Sequence, residues 1–223
     1  SPELTRADWL WTIAPALLWW LALAARPHLI TTRCAAPGAC DPAGLNPLDA
    51  STVGLQLEVA ATWSDWLLDG TLAAGFAVPL LVAVLSKARR ALDDIVLWGQ
   101  TALWNAAVLE VVRLMVQRPR PLLYLDVSAF GLEPSSYTSF YSGHVSFVAA
   151  SWSALAIIAA SRGLRPHALV AIALALTPLT AALRVASSRH FITDTLAGAA
   201  AGVTVALAVA LLHRQSLPGT RTR

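Results

Sequence analysis

Six apolar blocks, each about 16–23 residues long, divide the chain. A helix of about 20 apolar residues crosses the hydrocarbon core of a bilayer. The blocks therefore predict an all-α fold, a polytopic membrane protein built as a six-transmembrane-helix bundle. Composition agrees. Of the 223 residues, 57% are hydrophobic and 13% charged, against roughly 25% charged in soluble domains, which excludes a soluble globule. The length holds one membrane-embedded domain over 1–223 and no second one. A net charge of +3 and a pI near 9.3 are compatible with a nucleic-acid partner. The arginines, however, cluster at the ends of the apolar blocks, which suits topology and a site, and no nucleic acid is expected. Nine tryptophans suit membrane interfaces, where an amphipathic ring is at home.

The first span is expected over about 9–25, with Trp9, Trp11, Trp19 and Trp20 near its ends. It lacks a basic n-region and an A-x-A-like cleavage site, so it reads as a retained helix. Pro27, Pro37, Pro42 and Pro47 argue against regular structure over 26–46. Residues 49–70 place Leu55, Leu57, Val59, Trp63, Trp66 and Leu67 among acids, which predicts an additional helix lying in the interface. The other spans are expected over about 71–86, 95–117, 144–160, 167–183 and 191–212.

Six spans put both termini on one side. The tails and the loops 87–94 and 161–166 carry Arg6, Lys87, Arg89, Arg90, Arg162, Arg165, Arg214, Arg221 and Arg223. The positive-inside rule assigns these to the cytoplasm. The expected location is a bacterial inner or plasma membrane, with an extracytoplasmic loop over 26–70 and further outer segments over 118–143 and 184–194. Cys34 and Cys40 lie in the first of these. An oxidising compartment allows a disulfide across CAAPGAC; two free thiols are the alternative. No Cys/His spacing resembles a zinc site, and neither a metal nor a cofactor is expected.

Chemistry collects in the outer segments. Arg184 to Asp194 reads RVASSRHFITD. His190 and Asp194 are four apart, a spacing that puts both on one face of a helix. A carboxylate on one imidazole nitrogen fixes the tautomer and makes the other nitrogen more basic. A helix cap beside a surface histidine is the plainer alternative. Ser142-Gly143-His144 opens the fourth span. A helix N-terminus binds anions, Ser142 offers a hydroxyl, and Gly143 permits close backbone approach. An ordinary serine N-cap is the alternative here. Arg113, Arg118 and Arg120 close the third span. They break the positive-inside trend and need a counter-charge or an anionic ligand. Guanidinium groups match phosphate oxygens as a fork, while snorkelling to lipid headgroups is the alternative. Together these parts make an anion site with a nucleophile and a separate acid, as phosphoryl transfer requires.

In this the chain resembles the type 2 phosphatidic acid phosphatase superfamily, whose three motifs are K-x6-R-P, P-S-G-H and S-R-x5-H-x3-D. The first reads Arg113-LMVQRP-Arg120-Pro121. The second reads Tyr141-Ser142-Gly143-His144, and the third Leu183-Arg184-VASSR-His190-FIT-Asp194. Spacing and order are kept. Arg113 stands where lysine is usual, Tyr141 replaces proline and Leu183 replaces serine. The pair Arg118-Pro119 offers a competing frame, but it would put Val111 at the basic position, so Arg120 is preferred.

The resemblance implies one phosphatase domain that forms a phosphohistidine on His190. Asp194 orients His190, and His144 acts as acid and then base. Arg113, Arg120, Ser142, Gly143 and Arg184 hold the phosphate, without a metal. A site at the outer interface favours an amphiphilic substrate: phosphatidic acid, phosphatidylglycerol phosphate, a polyprenyl diphosphate or a lipid A phosphate. Arg118 and Arg189 are expected to contact the headgroup or surrounding lipid. The rival readings are a lipid phosphotransferase with the same residues, a vanadate-dependent haloperoxidase, which six apolar spans argue against, and a non-enzymatic lipid-binding protein.

Overall fold

The computed structural model describes residues 6–35, 40–87 and 91–213, and no described residue lies in a strand. The six apolar blocks are the long helices α1 (Arg6–Leu29), α3 (Glu58–Leu85), α4 (Ala91–Val116), α6 (Gly143–Ser161), α7 (His167–Ala186) and α8 (Ile192–Leu212). Two short helices, α2 (Pro47–Ala50) and α5 (Val127–Phe130), lie in the connections. All six long helices are long and apolar enough to cross a membrane. Leu17, Leu81, Val84, Leu174 and Leu211 are exposed on their outer faces. Such a band is an aggregation surface in water and an ordinary lipid-facing surface in a bilayer, and the chain is an integral membrane protein.

The centre of the bundle is α6. Two-thirds of its apolar window is buried (67%), against 11% for α1 and for α7. It packs against α3, α4, α7 and α8, while α1 leans on α4. Val148, Trp152, Leu155 and Ile158 of α6 form a core with Val82, Trp98 and Ala206. Helices approach closely here because small residues line the contacts. A Cβ on Gly202 would lie 2.2 Å from the Ser146 carbonyl oxygen, and one on Gly198 would lie 2.7 Å from that of Ser142. Backbone approach of this kind replaces the hydrophobic drive that lipid removes. It seats the start of α8 against the start of α6, and the Ser142 N–H donates to the Asp194 carbonyl at 3.1 Å.

Two expectations are corrected. The segment 49–70 is not a separate interfacial helix. Its first part is α2 and a turn, and from Glu58 it is continuous with the second span as a 28-residue α3. No proline separates the two parts, and Gly70, the poorest helix former there, costs only about 1 kcal/mol. The first span also does not end before Pro27. Pro15 and Pro27 both lie inside α1, and Ile30 N–H still bonds the Arg26 carbonyl. Cys34 and Cys40 are joined by a disulfide. At the opposite end of the bundle Arg162 grips Asp94 with contacts of 2.7–3.2 Å. Pro37, the loop arginines Arg89 and Arg90, and the tail arginines Arg214, Arg221 and Arg223 lie outside the described residues.

Candidate active site

Alternating helix directions bring the ends of α1, α4 and α7 together with the starts of α3, α6 and α8. The three outer segments named from the sequence meet at this one end. His190 sits just before α8, one residue ahead of its N-cap Phe191. It is 1% exposed. Its Nδ1 donates to the Ser139 carbonyl oxygen at 2.7 Å. A carbonyl only accepts, so Nδ1 carries the hydrogen and Nε2 keeps its lone pair.

Asp194 has a different part from the one its spacing suggests. His190 lies outside the helix, so the pair is not two residues of one helical face. Asp194 Oδ2 is 3.8 Å from His190 Nδ1, beyond a hydrogen bond. The same oxygen accepts the Phe191 N–H at 3.0 Å and the Ser139 hydroxyl at 2.5 Å. Asp194 thus caps α8, fixes the Ser139 segment that orients His190, and acts on the imidazole through charge. Burial pushes the His190 imidazolium down to about 3. Asp194 pulls against that shift, and Arg120 and Arg184 add to it. The folded value lies below the 6.5 of an ordinary histidine, so the unfolded chain takes up the proton first. This contribution is complete above about pH 6.5 and shrinks as pH falls toward about 3. On acidification from about pH 7 to about pH 4, the wild type should therefore lose more melting temperature in detergent than His190→Gln, which does not titrate. Equal slopes would contradict the assignment.

Arg118 is corrected. It is not a spare cation for headgroups. One guanidinium nitrogen bonds Asp194 Oδ1 at 2.5 Å and Thr193 Oγ1 at 2.7 Å, and the other bonds Asp49 Oδ2 at 2.7 Å. Its plane also stacks over the Phe191 ring at 4.3 Å. Asp49 accepts in addition from the Thr193 N–H at 3.1 Å and from Asn46 at 2.7 Å. Both carboxylates are fully buried. Arg118 therefore clamps α2 to the start of α8, which leaves Arg120 for the motif position. Arg120 donates to the Ser135 carbonyl at 3.1 Å, and its charge acts on His190. Arg189 is exposed on the turn between α7 and α8.

Arg113 ends α4, where Glu110 holds it at 3.0 Å. Glu110 also binds Arg26 at the end of α1. A Cβ on Gly143 would come within 3.0 Å of an Arg113 guanidinium nitrogen and 2.9 Å of Leu109, so the glycine lets the Arg113 side chain lie against the start of α6 without shifting. Ser142 is the N-cap of α6, but its hydroxyl makes no capping bond. The plain serine-cap reading fails on that point. Arg184 lies in the last turn of α7 and is buried. It donates to Ser64 Oγ at 3.1 Å and to Asp65 Oδ1 at 3.4 Å. Asp65 also lies 2.8 Å from His144 Nε2.

Several buried side-chain polar atoms among the described residues have no hydrogen-bond partner in the protein. Four belong to this end of the bundle: Arg113 Nε, Tyr141 Oη, Ser142 Oγ and Arg184 Nε. An unpaired buried polar group costs about 1–3 kcal/mol, so four together mark a place built for a ligand. Burial raises the Tyr141 hydroxyl to about 12, with Arg113 pulling the other way, so Tyr141 is there as a neutral donor. Two of the four are donor-only N–H groups and the other two are hydroxyls, an arrangement that suits an anion. An apolar groove of 1120 Å³ lies beside the site between α6, α7 and α8. Val185 and Ile192 line its near end, and Val170 and Thr204 its far end. At 1.5 Å per helical residue it runs roughly 20 Å.

An integral membrane bundle with a basic, anion-seeking cluster around two histidines is the architecture of a membrane phosphatase. The chain matches the PAP2 superfamily over residues 95–217, more than half its length, and belongs to that family of phosphatases. The match takes in every motif residue from Arg113 to Asp194. Comparisons with curated proteins and with solved structures produced no significant match.

Asp49, Asp65, Glu110 and Ser139 carried no signal in the sequence. The first two look like any other acids of a net-acidic loop, and Ser139 contributes only its carbonyl and a hydroxyl.

Proposed function

We propose that the protein is a metal-independent phosphatase of membrane lipid phosphates or diphosphates that works through a phosphohistidine on His190. The observation that carries this reading is the set of four unpartnered buried polar atoms, on Arg113, Tyr141, Ser142 and Arg184, at the end of the bundle that holds His190 and His144. The first turn of α6 adds the Gly143 N–H, which has no partner within the helix, and Arg120 adds charge.

Catalysis then runs in two halves. His190 Nε2 attacks phosphorus as the bond to the leaving oxygen breaks, and His144 gives that oxygen its proton. His144 next takes a proton from water, whose oxygen displaces His190 and releases phosphate. The Ser139 carbonyl holds the hydrogen on Nδ1, and Asp194 stabilises the positive charge that the ring gains. The arginines and the α6 dipole neutralise the equatorial oxygens.

The groove supports a lipid substrate, because a long acyl or prenyl chain fits a channel that starts beside the phosphate site and stays within the bilayer. The active site faces away from the cytoplasm in this reading, with both termini inside, as the loop arginines favour. Purified protein in detergent, with chelator present, should release phosphate from some of a panel comprising phosphatidic acid, phosphatidylglycerol phosphate and a polyprenyl diphosphate. No release from any of the panel, with or without added divalent metal, would overturn the reading. Retained phosphoryl transfer to an added acceptor lipid, with no release to water, would favour a phosphotransferase instead.

A further inference from the structure

We infer that Asp65 is a positioning residue for His144, a second carboxylate–histidine pair that equips the acid rather than the nucleophile; this rests on the phosphatase reading above. Asp65 lies near the start of α3, outside the region shared with the family. Its Oδ1 is 2.8 Å from His144 Nε2 and 3.4 Å from an Arg184 nitrogen. Asp65 from α3 is the carboxylate that reaches His144, Arg184 from α7 binds the same oxygen, and Arg113 from α4 lies against Gly143, the residue before His144.

A general acid has to hold a proton until the leaving oxygen needs it, and in a site lined by arginines that requires a carboxylate. The bond also fixes the ring. With Nε2–H donated to Asp65, Nδ1 is the nitrogen that exchanges a proton with the substrate. In the first half-reaction the Nδ1 proton passes to the leaving oxygen and the ring becomes neutral. In the second, Nδ1 takes a proton from the attacking water and the imidazolium is restored. Asp65 keeps its partner throughout and touches no reacting atom.

The discriminating measurement is leaving-group dependence. A poor alkoxide leaving group needs the acid and a good phenolate does not. With a short-chain phosphatidic acid, Asp65→Asn should lower kcat/KM, which reports formation of the phosphoenzyme alone, by about 10²-fold, the lower end of acid–base contributions. With p-nitrophenyl phosphate it should lower kcat/KM by less than about threefold. Combined with His144→Asn, it should cost almost nothing further on the lipid, because both changes remove one function. An equal loss on both substrates, or full additivity with His144→Asn, would show that Asp65 serves Arg184 or the fold and would overturn the inference. So would unchanged kcat/KM on the lipid. Where the wild type prefers another lipid of the panel, that lipid replaces phosphatidic acid; if it releases phosphate from no member of the panel, the phosphatase reading itself fails, and the inference with it.

Discussion

His190→Ala should lose at least about 10⁴-fold in phosphate release, since removing a covalent nucleophile costs on that order or more. The protein should remain folded. His190 is buried, but its ring makes only one strong hydrogen bond, from Nδ1 to Ser139, and the Asp194 cap and the Arg118 clamp do not pass through it. His144→Ala should cost less, about 10²–10⁴-fold, the worth of acid–base help, and should slow breakdown of the phosphoenzyme as well as its formation. Phosphate release measured side by side checks the order. His190→Ala with activity comparable to the wild type would remove the nucleophile from the scheme.

Arg118→Ala should be the most damaging single change to stability at this end of the bundle. It strands two fully buried carboxylates, Asp49 and Asp194, that share one guanidinium. Breaking a buried pair by removing one partner costs about 3–5 kcal/mol, because the remaining charge stays uncompensated. Activity should fall with it, since Asp194 also holds the Phe191 N–H and the Ser139 hydroxyl. Arg118→Lys should recover little, because a compact ammonium cannot bridge two carboxylates and Thr193 as a planar fork does. Thermal unfolding in detergent reads the loss directly. A melting temperature near that of the wild type would mean that water or another cation compensates both acids.

Residues whose meaning is local were legible in the sequence. The six spans follow from runs of apolar residues, and the groups at Arg113, Ser142-Gly143-His144 and Arg184 to Asp194 follow from spacing along a helix end. Residues whose meaning lies in contacts across the chain were not. Arg118 looked like a headgroup contact because Asp49 and Asp194 are 69 and 76 residues away. Asp65 is 79 residues from His144, so nothing in its surroundings separates it from Asp69. The pairing of His190 with Asp194 shows the intermediate case. Four-residue spacing correctly made them neighbours, but α8 begins between them. The carboxylate is turned toward the helix start, and the Ser139 carbonyl takes the bond to Nδ1. The merged α3 failed for another reason. Tryptophans and acids in its first turns read as an interfacial helix, yet no strong breaker separates them from the span.

The central claim is that His190 carries the phosphoryl group, and trapping tests it most directly. The protein is mixed with a ³²P-labelled lipid phosphate that it turns over, quenched in alkali, and digested. Label that is stable to alkali, labile to acid and confined to the peptide containing His190 is the expected result. It should accumulate in a variant with impaired His144 and be absent from His190→Ala. Turnover with no trapped label in the His144 variant, or label on a residue other than His190, would contradict the account.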